Sequence, residues 1–260
     1  MSFLSALRFL TIIPFPFRRE ISREEVGRSV AYFPVVGVII GLMLAGLNWI
    51  LSLFLPSGVV NGLLLVSLVI VSGALHLDGF IDTCDGIAGH KTVEERWRVM
   101  HDSRAGAFGI VGGVSLLLVK YISLNSVPET LLWVTLIIMP MVSRWVMVYA
   151  IFVYPYAKPS GLGKTFKQGA SWQRFAIATV TTTAIAIGLA WLADIAYFYL
   201  IGPAIMLAVW VIVLIMAEYF KRKFSGLTGD TYGAINEVAE VGVLILICLL
   251  AYNHWLVWPS

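Results

Sequence analysis

Val60–Gly86 reads VNGLLLVSLVIVSGALHLDGFIDTCDG, an apolar run that ends in three carboxylates. From Val60 to Leu77 it is predominantly apolar and nearly as long as one bilayer crossing, which takes about 20 residues. Asp78, Asp82 and Asp85 follow at i, i+4 and i+7. At about 100° per residue these positions fall within roughly 60° of one another on a helix. Carboxylates crowded on one face raise each other's pKa unless a cation sits between them. At the C-terminal end of an inward-running helix they also meet a dipole that disfavours negative charge. A divalent cation held by oxygen ligands, Mg²⁺ or Mn²⁺, explains that cost better than a solvated acidic face. Such a metal at a membrane surface suggests phosphate chemistry, and Gly79, Gly86 and Gly89 would let phosphates approach the backbone.

The rest of the chain supports the membrane reading. Of 260 residues 59% are hydrophobic and only 13% charged, with a mean hydropathy of +0.88, which marks an integral membrane protein. The windows Val30–Leu55, Val60–Leu77, Ala105–Leu124, Leu131–Val153, Phe175–Ala193, Tyr197–Tyr219 and Val241–Trp258 predict seven transmembrane helices. Period-2 alternation is absent, which argues against a barrel. The fold expected is therefore an all-α polytopic membrane protein, one domain over residues 1–260. Phe3–Ile13, ended by Pro14 and Pro16, reads as an amphipathic interfacial helix rather than a cleaved signal.

Basic residues orient the spans. Arg8, Arg18, Arg19, Arg23 and Arg28 precede the first, and Lys91, Arg96, Arg98 and Arg104 lie between the second and third. Lys158, Lys164, Lys167, Arg174, Lys221, Arg222 and Lys223 fill the later loops on the same side. Only Lys120 and Arg144 of the 18 basic residues fall inside spans. This asymmetry places the N-terminus in the cytoplasm and the C-terminus outside. It also accounts for the basic charge, so no nucleic-acid partner is inferred. Cys84 and Cys248 are too few for a disulfide framework or zinc site and read as small buried residues.

The loops on the basic side hold most of the chemistry. In Lys91–His101, Val93, Trp97 and Met100 form an apolar stripe on an interfacial helix. Asp102-Ser103-Arg104 follows, with Asp102 a further metal ligand or a general base and Arg104 a fork for phosphate. Arg144 lies deep in the fourth span, where an ionisable residue is a functional-site hypothesis by default. Lys120 is nearer an end of its span and reads as snorkelling. In Tyr154–Lys167, YPYAKPSGLGKTFK, the P-loop reading fails because Lys158 stands where its first glycine is required. Lys158 and Lys164 remain candidate phosphate contacts. Gly226–Gly242, GLTGDTYGAINEVAEVG, adds Asp230, Glu237 and Glu240 as candidate substrate-binding acids. His76, His90, His101 and His254 show no metal spacing; His76 reads as a structural histidine beside the acids.

HLDGFIDTCDGIAG, DSRAGAFG, SRW at Ser143–Trp145, PYAKPSGLGKTF and GLTGDTYGAINEVAEV together resemble the cobalamin synthase family, the adenosylcobinamide-GDP ribazoletransferases. The motifs occur in matching order along the whole chain. The resemblance implies an inner-membrane enzyme facing the cytoplasm, which joins adenosylcobinamide-GDP to α-ribazole or its 5′-phosphate with Mg²⁺ and releases GMP. In that reaction Asp78, Asp82 and Asp85 are expected to hold the metal, Asp102 to be a further ligand or the base, and Arg104, Lys158 and Lys164 to steady phosphate. A more distant likeness joins Asp82-Thr83-Cys84-Asp85-Gly86 to the D-x-x-D-G signature of CDP-alcohol phosphotransferases. The chain departs from that signature at Gly89-His90 and at Gly106. The alternatives are thus CDP-alcohol transfer to a lipid, and a transporter using the acids as an ion path. A transporter would place its polar residues nearer the midplane, in repeated halves. Adjacent Gly112 and Gly113 suit close helix contact within or between protomers, so a homo-oligomer fits too.

Overall fold

The computed structural model describes residues 2–14, 22–89 and 92–256. Pro16, Arg18, Arg19, His90, Lys91 and the end of the last predicted span lie outside the described residues. Twelve α-helices are described: α1 (Ser2–Leu10), α2 (Arg23–Arg28), α3 (Phe33–Leu51), α4 (Ser57–Val71), α5 (Leu75–Ile87), α6 (Val93–Met100), α7 (Ala107–Ser126), α8 (Glu129–Val153), α9 (Leu162–Gly169), α10 (Trp172–Leu192), α11 (Phe198–Phe224) and α12 (Gly229–Tyr252). Six stretches, one of them α2 running on into α3, are long and apolar enough to cross a membrane, and a seventh is reached if α4 and α5 count as one broken span. Outward apolar side chains such as Leu42, Val114, Val180 and Ile215 stand exposed, as a lipid-facing surface requires.

α8 is the central post, buried from Val134 to Ile151. α3 crosses it most intimately, because Gly37 and Gly41, four residues apart, face Pro140 and Ile137. A Cβ at Gly41 would lie 2.4 Å from the Ile137 Cα. This is the small-xxx-small geometry by which membrane helices pack without a hydrophobic driving force.

The second predicted span is not one helix. α4 ends at Val71, Gly73 and Ala74 take left-handed φ of 62° and 55°, and α5 departs at 87°. Glycine adopts that conformation freely, and alanine follows it only for a single residue. The predicted placement of Asp78 is thereby corrected. It stands in the first turn of a new helix, where the dipole welcomes a carboxylate, not at the C-terminal end of the old one. The opposite end of α5 is capped by Arg96 of α6, whose guanidinium donates to the carbonyls of Gly86 at 2.6 Å and Ile87 at 2.9 Å.

The last span also differs from expectation. α12 begins at Gly229 rather than Val241, with Thr228 as a capping box, so Asp230, Glu237 and Glu240 belong to the helix itself. At the N-terminus, α1 buries Ala6, Leu7 and Leu10, and Phe9 packs on Phe33 and Phe166. Cys84 and Cys248 are free and half-buried rather than fully buried.

Gly41→Leu is expected to cost about 1–3 kcal/mol by overpacking against α8. Gly46→Leu, on the same helix where a Cβ meets nothing within 4 Å, leaves the Tm unchanged. Thermal melts of both variants in detergent check this, and equal Tm values would contradict the crossing.

Candidate active site

The site is assembled where α5 crosses the start of α12. Two glycines permit the approach: a Cβ at Gly79 would lie 2.8 Å from the Asp230 carbonyl oxygen, and one at Gly233 would lie 2.9 Å from that of His76. The crossing brings Asp78 and Asp82 of α5 beside Asp230 of α12, so that Asp82 feels the charges of Asp78, Asp230 and Asp85 together. Lys158 arrives from the loop after α8. That loop is stitched to the one before α12 by Ala157 N–H donating to Leu227 and Leu227 N–H donating to Pro155, both at 2.8 Å. Lys158 Nζ lies 3.2 Å from Asp230 Oδ2 and 3.2 Å from His101 Nε2. The far nitrogen of His101 meets the Trp97 carbonyl at 2.5 Å, consistent with a ring protonated at Nδ1.

Beside this cluster lies a cavity of about 560 Å³. Asp78, Lys158 and Asp230 line it, together with the aromatic rings of Phe9, Phe33, Phe166, Trp97, Tyr156 and Tyr232. Burial, and then the neighbouring Asp230, push the Tyr156 phenol above its ordinary value, so it stays neutral. Lys164 is not among the lining residues; it donates to the Pro159 carbonyl at 2.6 Å and braces the loop.

Asp85, Asp102 and Arg104 face a second, more open depression. The Asp85 carboxylate accepts from the backbone N–H of Gly106 at 2.7 Å and of Gly109 at 2.8 Å, which pins the start of α7 to α5. Here a carboxylate meets a helix N-terminus, a stabilising pairing. Arg104 grips exposed Asp102 with its side chain at 3.0 and 3.1 Å and its own N–H at 3.0 Å. Those hydrogen bonds hold the Asp102 carboxyl down to about 2, which makes it a weak base.

Arg144, Glu237 and Glu240 lie elsewhere, inside the bundle and away from the cavity lining. Glu240 pairs with both Arg144 and Lys120, and Lys120 pairs also with Glu237. Asn236 adds a hydrogen bond to Glu240 at 3.2 Å. Lys120 is 2% exposed, so the snorkelling reading is corrected: it turns inward because two carboxylates await it. Two positive and two negative charges cancel, which is what permits burial at this depth. Trp97, expected only as part of an apolar interfacial stripe, and Tyr156 and Tyr232, not singled out from the sequence, also line the cavity; an aromatic within a glycine-rich polar stretch, as at Tyr156 and Tyr232, was the available signal.

Comparison with known proteins gives the lineage. Residues 2–248 match the family model for cobalamin-5-phosphate synthase. The chain belongs to this family. Relatives named adenosylcobinamide-GDP ribazoletransferase include one from Geotalea daltonii, 41% identical over 95% of both chains. Another, from Roseiflexus sp., is 35% identical over 95% of this chain and 88% of its own. A third, from Desulforamulus reducens, is 36% identical over 94% of both. No solved structure matches the chain.

Lys120→Met strands Glu237 in the core and is expected to destabilise by about 3–5 kcal/mol. Adding Glu237→Gln removes the orphaned charge and recovers most of that loss. Detergent melts of the single and double variants check it; a double variant no more stable than the single one would contradict the pairing.

Proposed function

We propose that the chain joins adenosylcobinamide-GDP to α-ribazole, or to its 5′-phosphate, releasing GMP, with the site on the cytoplasmic face of the inner membrane. One observation carries the reading: Asp78, Asp230 and Lys158 converge in the wall of a nucleoside-sized cavity, with Asp82 beside them. The full-length likeness to named ribazoletransferases favours it over CDP-alcohol transfer to a lipid. The basic loops favour the cytoplasmic orientation.

Among the described residues no three His, Cys, Asp or Glu side chains form a ready-made metal cage. Mg²⁺ does not need one, since it is commonly held by one or two carboxylates and completed by substrate phosphates. The crowded hard-oxygen donors Asp78, Asp82 and Asp230 fit that habit. Asp85 stands next to them but already serves α7 through both carboxylate oxygens. When bound, Mg²⁺ would neutralise charge on the pyrophosphate oxygens.

The chain's own residues do the positioning. A ribazole hydroxyl attacks the cobinamide-side phosphorus; the new phosphoester bond forms as the bond to GMP breaks. The hydroxyl proton passes to a carboxylate of the cluster rather than to Asp102, which Arg104 holds as a weak base. Lys158 offsets charge on the phosphates, shifting from Asp230 as substrate enters. Arg104 faces the second depression, where it serves the parts of the corrinoid nucleotide that the cavity does not take.

Membranes containing the protein, given both substrates and Mg²⁺, are expected to form the cobalamin product and GMP in equal amounts. EDTA abolishes the reaction and added Mg²⁺ restores it. Asp82→Asn lowers kcat by about a hundredfold. Metal-independent turnover, or an Asp82→Asn enzyme as fast as wild type, would sink the metal assignment. CMP exchange with a CDP-alcohol in place of cobalamin formation would sink the substrate assignment.

A further inference from the structure

Four of the buried polar atoms left without a hydrogen-bond partner sit on three residues that line this one cavity. They are both ring nitrogens of His76, Nε1 of Trp97 and the hydroxyl of Tyr232. His76 and Tyr232 are 3% and 4% exposed, so water does not satisfy them freely. Buried polar groups are normally paired, and an unpaired donor costs free energy that a ligand can recover. The same chamber has aromatic walls. Phe9, Phe33 and Phe166 interlock at centroid distances of 4.6 to 6.0 Å, and Tyr156 stacks on Tyr232 at 6.3 Å. The chamber therefore combines aromatic walls with the charged groups Asp78, Asp230 and Lys158, of which Asp230 and Lys158 are partly exposed.

We infer that this chamber seats the aromatic base of the ribazole nucleoside between its aromatic walls, with Trp97 and Tyr232 donating to the base's ring nitrogen and the ribose directed toward Asp78, Asp230 and Lys158. The inference rests on the proposed ribazole transfer and adds which of the two substrates occupies the cavity. Size decides first: about 560 Å³ holds a nucleoside-sized ligand. A corrinoid bearing an adenosyl group and a nucleotide far exceeds it and must dock outside, across the open depression. Hydrogen-bond chemistry decides second. A dimethylbenzimidazole base is apolar, with one unprotonated ring nitrogen that only accepts, and the Trp97 indole N–H only donates. Guanine would bring its own N–H donors, and the cavity's carboxylates lie in the charged cluster, with Asp230 taken by Lys158. His76, at the α5–α12 crossing, supplies a further polar edge to the chamber.

Steady-state kinetics on membranes with both substrates varied tests this. Trp97→Phe keeps an aromatic ring and removes the N–H; it is expected to raise the KM for α-ribazole about tenfold while that for adenosylcobinamide-GDP moves less than about twofold. Tyr232→Phe behaves likewise. In the unmodified enzyme, free 5,6-dimethylbenzimidazole is expected to compete with α-ribazole, and guanosine is not. That arm stands even if neither variant folds. A KM shift confined to adenosylcobinamide-GDP, or guanosine competing with α-ribazole while the free base does not, would overturn the assignment. Folded wild-type protein that forms no cobalamin would overturn the ribazole-transfer reading itself, a result distinct from either.

Discussion

Two cations and two anions closed on each other inside an apolar bundle are the constraint on which this molecule depends. Lys120 of α7, Arg144 of α8 and the pair Glu237 and Glu240 of α12 are almost wholly buried. None of these charges can be left alone at such depth, because desolvation exceeds what any single contact returns. The pairing therefore sets the register of α7 and α12 against the central post α8. With those helices fixed, the positions of Gly109 and Gly233 follow, and α5 must lie across them.

The site is a consequence of that register. α5 is free to cross because two left-handed residues turn it 87° from α4, and glycine removes the side chains that would block contact. Asp85 then staples the C-terminal turn of α5 to the start of α7, and Arg96 caps the carbonyls of that same end. A short helix clamped at its C-terminal end and crossed closely by α12 at Gly79 can hold like charges together that a free segment would separate. The clamping also divides the labour among the acids: Asp85 holds architecture, while Asp78, Asp82 and Asp230 share the space by Lys158. Bringing phosphate chemistry to such a cluster requires only positioning and charge neutralisation, which rigid elements supply best.

Several features were legible from residues alone, and the reasons they were legible are physical. Apolar windows report a helix that faces lipid, since lipid selects each side chain independently. The i, i+4, i+7 acids report a shared face because helical geometry is local. The break at Gly73-Ala74 was not legible, because hydropathy weighs side chains and is blind to φ. The apolar window of the last span opens only at Val241, well inside α12, for a related reason: Asp230, Glu237 and Glu240 depress any such window, although the latter two are buried. Their burial depends on Lys120 and Arg144, one on each of two other helices, and no single window contains that information. Lys120 was misjudged in the same way.

The sequence by itself determined the membrane class, the helical content, the basic side of the bundle and the motifs that carry the family. It also marked Asp78, Asp82, Lys158 and Asp230 as residues of interest. Only the tertiary structure decided that these four meet, that Asp85 of α5 is spent on the start of α7, and that Lys120, Arg144, Glu237 and Glu240 form an inner neutral network. It alone showed an aromatic chamber lined by residues from α1, α3, α5, α6, α8, α9, α12 and the loop after α8. The reason is that membership of a helix is encoded by neighbours in the chain, whereas pairing of charges and enclosure of space are properties of neighbours in three dimensions.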